Sequence, residues 1–369
     1  MTIDDIALSL YDKLTPATVK HLISVFGSAE GAFAVSEQEL TGRAGLRADL
    51  AGMVVRKVTH KRAEEEARFL QRNKYKGVAS TDQEYPQLLN ECPDNPHVLY
   101  MDGDADILRR PMLSMVGTRE ATSYGMKMCD RLVGELAEII PDLVIVSGLA
   151  FGIDVACHRA ALLHRLPTIA VMASPIDDVY PAFHTEIAGD IVRSGGLIMT
   201  ENRSGGSTPA HAFLARNRIV AGMSMGTVVV ETPPKGGSLS TAQHAFDYNR
   251  SLMAVPGRAT DWSSAGTNLL IKSTRAQMVC SGEDIAVEMG WKVLDFGRRE
   301  RKAKAGAEAL RELTGLQREV VALLRDNDRM GDQDIASRSG ETFQDVLEAL
   351  FTLECNGIVR LSGGKYELC

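Results

Sequence analysis

Residues 146–162, VSGLAFGIDVACHRAAL, decide the fold of this chain. A short apolar run at 143–146 ends at Ser147-Gly148, and helical spacing begins after a second glycine, Gly152. The pattern predicts a strand, a tight turn and a helix that starts where the turn ends. Backbone N–H groups at such a helix start favour an anion, because they lack partners within the helix. The turn lacks the G-x-G-x-x-G spacing, so it is either a phosphate-binding turn or an ordinary strand-to-helix connection.

Short apolar runs alternate with helix-compatible segments on both sides of this stretch. Continuous Val, Ile and Met runs separated by helices are typical of a parallel sheet that is covered on both faces. The sequence therefore predicts an α/β protein with an extended Rossmann-like, doubly wound parallel sheet. The predicted strands are residues 112–116, 143–146, 168–172, 196–199, 227–230, 251–255 and 277–280.

Glycine, hydroxyl and basic residues follow several of these strands, where a doubly wound sheet binds its ligands. Residues 117–119, Gly-Thr-Arg, come after the first predicted strand, and residues 235–241, KGGSLST, come after the fifth. Two further arginines lie at a predicted helix start within residues 216–218, Arg-Asn-Arg. Cations beside glycines and hydroxyls suit a ligand with several phosphates better than a neutral metabolite.

Six blocks of the sequence, in this order, resemble the DNA-processing protein A family, also called DprA or Smf. The blocks are VGTREATSYG (116–125), VSGLAFGIDVACHRAAL (146–162), RNRIVAGMSMGTVVVE (216–231), KGGSLSTAQHA (235–245), AVPG (254–257) and GTNLLI (266–271). The resemblance implies a single-stranded-DNA-binding recombination mediator that protects incoming DNA and loads the RecA recombinase, as in natural transformation. It also implies a binding protein without cofactor, metal or catalytic residues, rather than an enzyme.

The resemblance implies that DNA phosphates are held along the carboxyl edge of the sheet by turn amides and basic side chains. The expected DNA-binding residues are Arg119, Ser147, Gly148, Gly152, Arg216, Arg218, Lys235, Gly237 and Ser238. Arg216 and Arg218 are two residues apart on a helix and point in different directions. We expect Arg218 to face the DNA and Arg216 to be structural.

Phe151 and Tyr124 are the aromatic residues nearest to the predicted groove and are candidates for stacking on a base. Only 5% of the residues are aromatic, so phosphate contacts are expected to dominate and sequence preference to be small. One groove contacts few nucleotides, so useful affinity is expected from a homodimer with two grooves. The candidate residues of the dimer interface are Leu269, Leu270, Ile271 and Met278. The alternative is that these apolar residues are part of the buried core.

Asp154 and His158 lie one helical turn apart after the first glycine turn. They can be drawn as an acid–base pair, or as a metal site together with Asp177 and His184. No nucleophile or third ligand stands at a recognisable spacing from them. We therefore expect Asp154 to brace the loop and His158 to pack inside its helix.

A nucleotide-binding hydrolase is the alternative function. The Gly-Gly-x-x-x-Thr turn that ends at Thr241 is similar to that of nucleoside-monophosphate phosphoribohydrolases of the lysine-decarboxylase-like group. Such enzymes need a carboxylate shortly after the turn to stabilise the ribosyl cation. Here residues 242–244 are Ala-Gln-His, and the missing acid disfavours the hydrolase.

Length, composition and charge limit the class of protein. A chain of 369 residues with 44% hydrophobic and 24% charged residues is expected to form two or three globular domains. The net charge of −7 argues against a uniformly basic surface but allows a local basic groove. The sequence has no apolar run of membrane-spanning length, no basic N-terminal leader and no C-x-x-C pair among its 6 cysteines. We expect a cytoplasmic protein with reduced thiols.

The segments around the sheet domain differ in composition. Residues 1–76 predict a helical domain, in which the bend from Gly42 to Gly45 resembles a degenerate helix-hairpin-helix (SAM-like) turn or simply connects two helices. The sheet domain is predicted at residues 77–290. Within it, the proline-punctuated residues 85–96 are expected to be a linker or an irregular lead-in.

The C-terminal part of the chain predicts a basic linker followed by a winged-helix domain. Residues 291–310 are basic and lack periodicity, as in a flexible linker. Residues 311–369 predict three helices and a two-stranded hairpin. The third helix carries no Lys or Arg, so we expect this domain to bind protein or serve a structural role rather than bind duplex DNA. The acidic residues on and beside that helix are Glu341, Asp345, Glu348 and Glu354.

Overall fold

The computed structural model describes residues 1–291, 313–327, 329–355 and 358–368. The chain forms two compact units, Met1–Lys292 and Val293–Cys369. Apart from Trp291, the predicted basic linker at residues 291–310 lies outside the described residues. No helix within the described ranges is both long and apolar enough to cross a membrane.

A nine-stranded sheet forms the centre of the first unit. Its strands are β1 (Lys76–Ala79), β2 (Val98–Gly103), β3 (Met112–Val116), β4 (Val144–Ser147), β5 (Thr168–Val171), β6 (Leu197–Thr200), β7 (Gly226–Val229), β8 (Ser251–Ala254) and β9 (Gln277–Met278). The strand order is β1-β2-β6-β5-β4-β3-β7-β8-β9, and the strands from β3 to β9 are parallel to one another. Every predicted strand is present, with its ends displaced by at most about two residues, the usual uncertainty of such boundaries.

Helices cover both faces of this sheet. They are α1 (Ile3–Ser9), α2 (Pro16–Phe26), α3 (Ala29–Ala34), α4 (Glu37–Ala44), α5 (Ala48–Val55), α6 (His60–Asn73), α7 (Gln87–Glu91), α8 (Ser123–Ile139), α9 (Ile153–Leu163), α10 (Thr185–Arg193), α11 (Ala210–Met223), α12 (Ser238–Asp247), α13 (Ala265–Lys272) and α14 (Gly282–Glu288). Alternate strand residues enter different cores, as the period of two requires. On β4, Val144 and Val146 join residues of α11 and α12, whereas Ile145 joins residues of α8 and α9.

The path of the chain creates a switch point in the sheet. From β3 the chain moves outward through β4, β5 and β6, and it then returns to β7 on the other side of β3. Consecutive connections therefore leave β3 and β7 in opposite directions, and a crevice opens beyond their carboxyl ends. Doubly wound sheets bind ligands at this crevice.

Two strands, β1 and β2, were not predicted. They extend one edge of the sheet, and β2 runs antiparallel to both β1 and β6. The preceding segment, residues 85–96, is not a linker, since it contains α7 and packs into the core. Tyr85 is buried, and its hydroxyl donates a 2.5 Å hydrogen bond to the carbonyl of Pro96. The prolines of this segment therefore mark an ordered, packed loop.

The N-terminal helices pack directly on the sheet. Their apolar side chains share one core with Val98 and Tyr100 of β2. The carboxylate of Glu66 on α6 accepts hydrogen bonds from the N–H (2.8 Å) and hydroxyl (2.6 Å) of Ser204. The compact unit consequently continues across the predicted domain boundary at residue 76.

The predicted bend between Gly42 and Gly45 depends on one glycine. Gly42 lies inside α4, and Gly45, with φ of +63°, ends that helix in the left-handed region. A hydrogen bond from the N–H of Leu46 to the carbonyl of Leu40 closes the turn (3.1 Å). This is a glycine C-cap between two packed helices.

The second unit has the predicted order of elements. They are α15 (Gly315–Asp326), α16 (Asp332–Ser339), α17 (Phe343–Cys355), β10 (Val359–Ser362) and β11 (Lys365–Leu368). On α17, Val346 and Leu350 are buried, whereas Asp345 and Glu348 are exposed. The exposed side of α17 therefore carries acidic residues together with the exposed rings of Phe343 and Phe351.

Candidate nucleic-acid interface

A cavity of about 580 Å³ opens at the carboxyl ends of β3, β4 and β7, at the switch point of the sheet. We call it the switch-point cavity. Its wall combines residues that follow each of these strands with one face of α11. The predicted residues that line it are Arg119, Gly148, Arg216, Gly237 and Ser238. Ser147, Gly152, Arg218 and Lys235 are not part of its wall.

Arg216 is buried beneath the first glycine turn. Its guanidinium donates hydrogen bonds to the carbonyl oxygens of Gly148 and Val171. A Cβ atom at Gly148 would lie 2.5 Å from Nη2 of Arg216 and 2.6 Å from Oδ2 of Asp154, so only glycine fits between these charged groups. Burial raises the pKa of the Asp154 carboxyl, and the positive charge of Arg216 counteracts this effect. Arg216 thus fastens α11 to the turn and balances a buried acid.

The first glycine turn binds the protein's own groups. Asp154 accepts a 3.4 Å hydrogen bond from the N–H of Ala150, so this amide of the turn is paired within the protein. The N–H of Ile153 donates to the carbonyl of Thr118 (3.0 Å). Ser147 is fully buried, and its hydroxyl donates to the carbonyl of Met115 (2.7 Å). Contacts with Asp154 and Thr118 therefore brace this turn from within the protein.

Gly152 allows the first turn to approach the loop that carries Arg119. Its φ is +74°, and a Cβ atom there would lie 2.2 Å from the carbonyl oxygen of Thr118. A side chain would therefore be strained and would collide with the neighbouring loop. This close approach positions Arg119 at the rim of the switch-point cavity.

Arg119 is exposed at that rim and stacks on an aromatic ring. Its guanidinium lies over the ring of Phe213, 5.3 Å from the centroid. Phe213 is on α11, three residues before Arg216, so the two side chains share one face of the helix. The sequence did not single out Phe213, although its spacing from Arg216 was a usable signal. Arg119 is held at the cavity with its polar edge available to a ligand.

The second glycine turn leaves its amides available. Among the described residues, the N–H groups of Gly237 and Ser238 at the start of α12 have no backbone partner. Ser238 instead donates its hydroxyl to Oγ1 of Thr232 (2.7 Å), which fixes the turn. Gly237 faces open space, and the exposed Lys235 lies beside it in the chain, outside the cavity wall. This turn has the unpaired amides and nearby cation of an anion site.

Arg216 makes the structural contacts expected of it, whereas Arg218, which was expected to face the DNA, does not line the switch-point cavity. Arg218 forms a 2.5 Å ion pair with Glu201 and is buried away from the switch-point cavity, whereas Arg216 borders it. Residues two apart on a helix differ by about 200° in direction, so only one of them can share the face of Phe213.

Asp154 and His158 have the expected structural roles. His158 is fully buried, and its Nδ1–H donates to Oγ1 of Thr168 (2.7 Å), whose hydroxyl hydrogen goes to the carbonyl of Ile145 (2.7 Å). Burial lowers the pKa of His158 to about 3, so the ring is neutral. Within the described ranges, no three His, Cys, Asp or Glu residues form a group that could hold a metal ion.

The four candidate interface residues separate into surface and core. Leu269 on α13 and Met278 on the edge strand β9 are 55% and 51% exposed. Leu270 is buried and Ile271 is half-buried against the same core. An apolar surface pair therefore lies at the β9 end of the sheet.

The fold and the switch-point cavity define a doubly wound α/β protein whose crevice is lined by an arginine and by helix-start amides. Residues 76–290 match the model of the family described as DNA recombination-mediator protein A, and the chain belongs to that family. The fold and the family inferred from the sequence are confirmed.

Relatives and solved structures agree with this assignment. The DNA processing protein DprA of Streptococcus pneumoniae is 36% identical over 215 residues, which are 58% of this chain and 74% of that protein. An X-ray structure of DNA processing protein A from Streptococcus pneumoniae covers 78% of this chain and 98% of its own, with 29% identity and a TM-score of 0.69. A structure that concerns the single-stranded DNA binding mode of DNA processing protein A from Helicobacter pylori covers 58% and 95%, with 29% identity and a TM-score of 0.52.

Proposed function

We propose that this chain binds single-stranded DNA at the switch-point cavity and acts there as a recombination mediator. The observation that carries the proposal is the convergence of the exposed Arg119 with the unpaired amides of Gly237 and Ser238 on one crevice. A guanidinium and helix-start amides are the groups that proteins use for phosphates. Membership of the DNA recombination-mediator protein A family supports the same ligand.

In this proposal some of the predicted residues bind DNA phosphates, and the others hold those residues in position. Arg119 holds one phosphate, the turn at Gly237 and Ser238 holds the next, and Lys235 adds long-range attraction. Other predicted residues keep these contacts in place and do not touch the DNA. These supporting residues are Ser147, Gly148, Gly152, Arg216 and Arg218.

The mediator acts as a homodimer in this proposal, and it protects incoming DNA and loads the RecA recombinase onto it, as in natural transformation. One switch-point cavity spans few nucleotides, so a second copy on the same strand raises affinity through effective concentration. The exposed apolar pair Leu269 and Met278 supports an interface at the β9 end of the sheet.

The proposal includes no catalysis. The acidic side chains among the described lining residues of the cavity are Glu120 and Asp154, and Asp154 is already bound to the turn. A phosphoribohydrolase needs a carboxylate shortly after Thr241 in the sequence. In this chain residues 242–244 are Ala-Gln-His, so that carboxylate is missing. The arrangement favours holding a strand over cleaving a nucleotide.

One pair of measurements tests the proposed function. The full chain is titrated with single-stranded and duplex oligonucleotides, and base release from adenosine monophosphate is measured under the same conditions. We expect salt-dependent binding that is tighter for the single strand, and no base release. Turnover without single-strand affinity would contradict the proposal. Crosslinking to single-stranded DNA with residue mapping, with and without RecA, then locates both contacts.

A further inference from the structure

A second cavity, of about 490 Å³, adjoins the switch-point cavity on the other side of Arg119. Arg119 and Glu120 belong to the walls of both cavities. The second cavity lies between α8, α9 and the turn Ala182–His184. Its most apolar lining residues are Met126, Phe151, Leu163 and Phe183. We call it the aromatic groove.

Three rings form the centre of the aromatic groove. His184 lies between Phe151, at 4.9 Å between ring centroids, and Phe183, at 6.2 Å, each with an interplanar angle of 62°. His184 is buried, and its Nδ1–H donates to the carbonyl oxygen of Leu149 (2.8 Å). The histidine is therefore fixed by the first glycine turn, and it holds the two phenyl rings by edge contacts that leave ring faces free.

Several apolar side chains of the aromatic groove are exposed, which is typical of a binding surface. Phe183 is 80% exposed, Leu163 is 70% exposed and Phe151 is 46% exposed, and all three line the aromatic groove. Single exposed apolar side chains are ordinary, but a contiguous group that lines a cavity marks a binding surface. The charged side chains of the groove are Arg119, Arg159, Glu120 and Asp130, so charges of both signs surround its apolar centre.

We propose that the aromatic groove receives nucleobases of the same DNA strand whose phosphates bind in the switch-point cavity. This inference rests on the proposed function and adds a subsite to it. Arg119 lines both cavities, so a DNA strand whose phosphate binds this arginine lies next to the aromatic groove. The bases adjacent to that phosphate are the nearest part of the ligand to the groove, which makes them its expected occupant. The apolar faces of those bases match Phe151 and Phe183, and Arg159 matches the next phosphate.

Base stacking in the aromatic groove would distinguish single-stranded from duplex DNA. Every base has an apolar face, so Phe151 and Phe183 favour unpaired bases without selecting a sequence. A duplex hides these faces within its own stack and cannot enter. The groove therefore adds selectivity for single strands over duplexes, which phosphate contacts alone do not supply.

The test compares base-bearing with abasic DNA of equal length, so that the number of phosphates is constant. We expect the full chain to bind oligothymidylate more tightly than the abasic strand. Phe183→Ala and Phe151→Ala should each weaken oligothymidylate binding about fivefold or more, leave abasic binding unchanged and leave the salt slope unchanged. Phe183 is so exposed that its variant should fold normally, and Phe151→Trp should restore binding. Phe351→Ala, at a 67% exposed phenylalanine of the second unit, is the matched control.

The possible outcomes separate this proposal from the one on which it rests. If the parent protein binds neither strand, the proposed function fails and the subsite fails with it. If the parent binds both strands equally and the two alanine variants bind like the parent, the aromatic groove is not a base subsite while the phosphate site stands. A similar loss on both strands in the alanine variants would also overturn the proposal, since stacking requires a base.

Discussion

The guanidinium of Arg216 donates a hydrogen bond to the carbonyl oxygen of Gly148. This contact joins α11 to the turn after β4, beneath the floor of the switch-point cavity. The carboxylate of Asp154 lies on the other side of the same glycine. The buried charges of Arg216 and Asp154 thus stabilise the glycine turn that packs against the Arg119 loop. We expect the loss of either charge to destabilise this turn.

Arg216→Ala should lower the free energy of unfolding by about 3 kcal/mol or more, because it leaves Asp154 buried without compensation. The loss should be smaller at about pH 5 than at about pH 8. Without Arg216 the folded-state pKa of Asp154 rises further above its unfolded value. The folded state then binds more protons than the unfolded state, so stability falls as the pH rises. Urea unfolding at both pH values measures the effect.

The double variant Arg216→Ala/Asp154→Asn is the control for this prediction. With no titrating acid beside the vacated position, the difference between the two pH values should disappear. If Arg216→Ala destabilises the protein equally at both pH values, Asp154 is not the buried charge that Arg216 neutralises.

Gly152→Ala and Gly237→Ala should differ in their effect on folding although both glycines lie in turns before helices. At Gly152 a Cβ atom would lie 2.2 Å from a backbone oxygen at φ of +74°, so we expect a loss of at least about 2 kcal/mol in the free energy of unfolding. At Gly237 φ is −61° and no heavy atom lies within 4 Å, so the change should stay within about 0.5 kcal/mol. Chemical denaturation compares them directly, and equal losses would contradict the close approach of the two loops.

The parallel part of the sheet was predictable because burial on both faces requires continuous apolar runs. Residues 112–116 and 143–146 therefore identified β3 and β4 closely. β2 was missed because its apolar residues follow a proline-punctuated segment that is typical of a linker. What orders that segment is tertiary: Lys20 on α2 donates hydrogen bonds to the carbonyls of Asn90 (2.7 Å) and Cys92 (2.8 Å).

The site was predictable in position but not in the roles of its residues. Strand ends and glycines identified the switch point, since topology brings them together. Whether Arg216 or Arg218 faces the cavity depends on how α11 is rotated against the sheet, and local sequence does not specify this rotation. Phe213 was overlooked although its three-residue spacing from Arg216 places both side chains on one face of α11. The hydrogen bond between Asp154 and the N–H of Ala150 in the first turn is a side-chain contact that residue types alone do not reveal.

His158 should make the protein sensitive to acid. In the unfolded chain the pKa of this histidine is near its ordinary value of 6.5, whereas in the fold it is about 3. Between these values the unfolded state binds the additional proton, so stability is lost as the pH falls, by about 1.4 kcal/mol per pH unit. His158→Asn keeps a donor for Thr168 but cannot titrate. Its stability should fall less steeply in urea unfolding between about pH 6 and pH 4, and parallel slopes would contradict the assignment.

Arg119→Ala and Lys235→Ala should each weaken single-stranded-DNA binding without changing the unfolding transition, since both side chains are exposed. Loss of a phosphate contact also reduces the salt dependence, by about 0.7 in the slope of log K against log salt concentration. Titrations at several salt concentrations measure both quantities. Arg193→Ala removes an equally charged, 68% exposed side chain on α10 and should leave both unchanged. If all three variants bind like the parent, the DNA lies on another face.

Leu269→Glu and Met278→Glu should convert a homodimer into monomers. Both side chains are more than half exposed at the β9 end of the sheet, so the substitutions introduce charge into the proposed interface without entering the core. Sedimentation equilibrium should give the mass of one chain for each variant and of two chains for the parent. Leu163→Glu, at a 70% exposed leucine on α9, should keep the parent's mass. Variants that remain dimeric would show that the interface lies elsewhere. Weaker binding to long single strands, with unchanged binding to short ones, should accompany the loss of the dimer, because only long strands occupy two cavities.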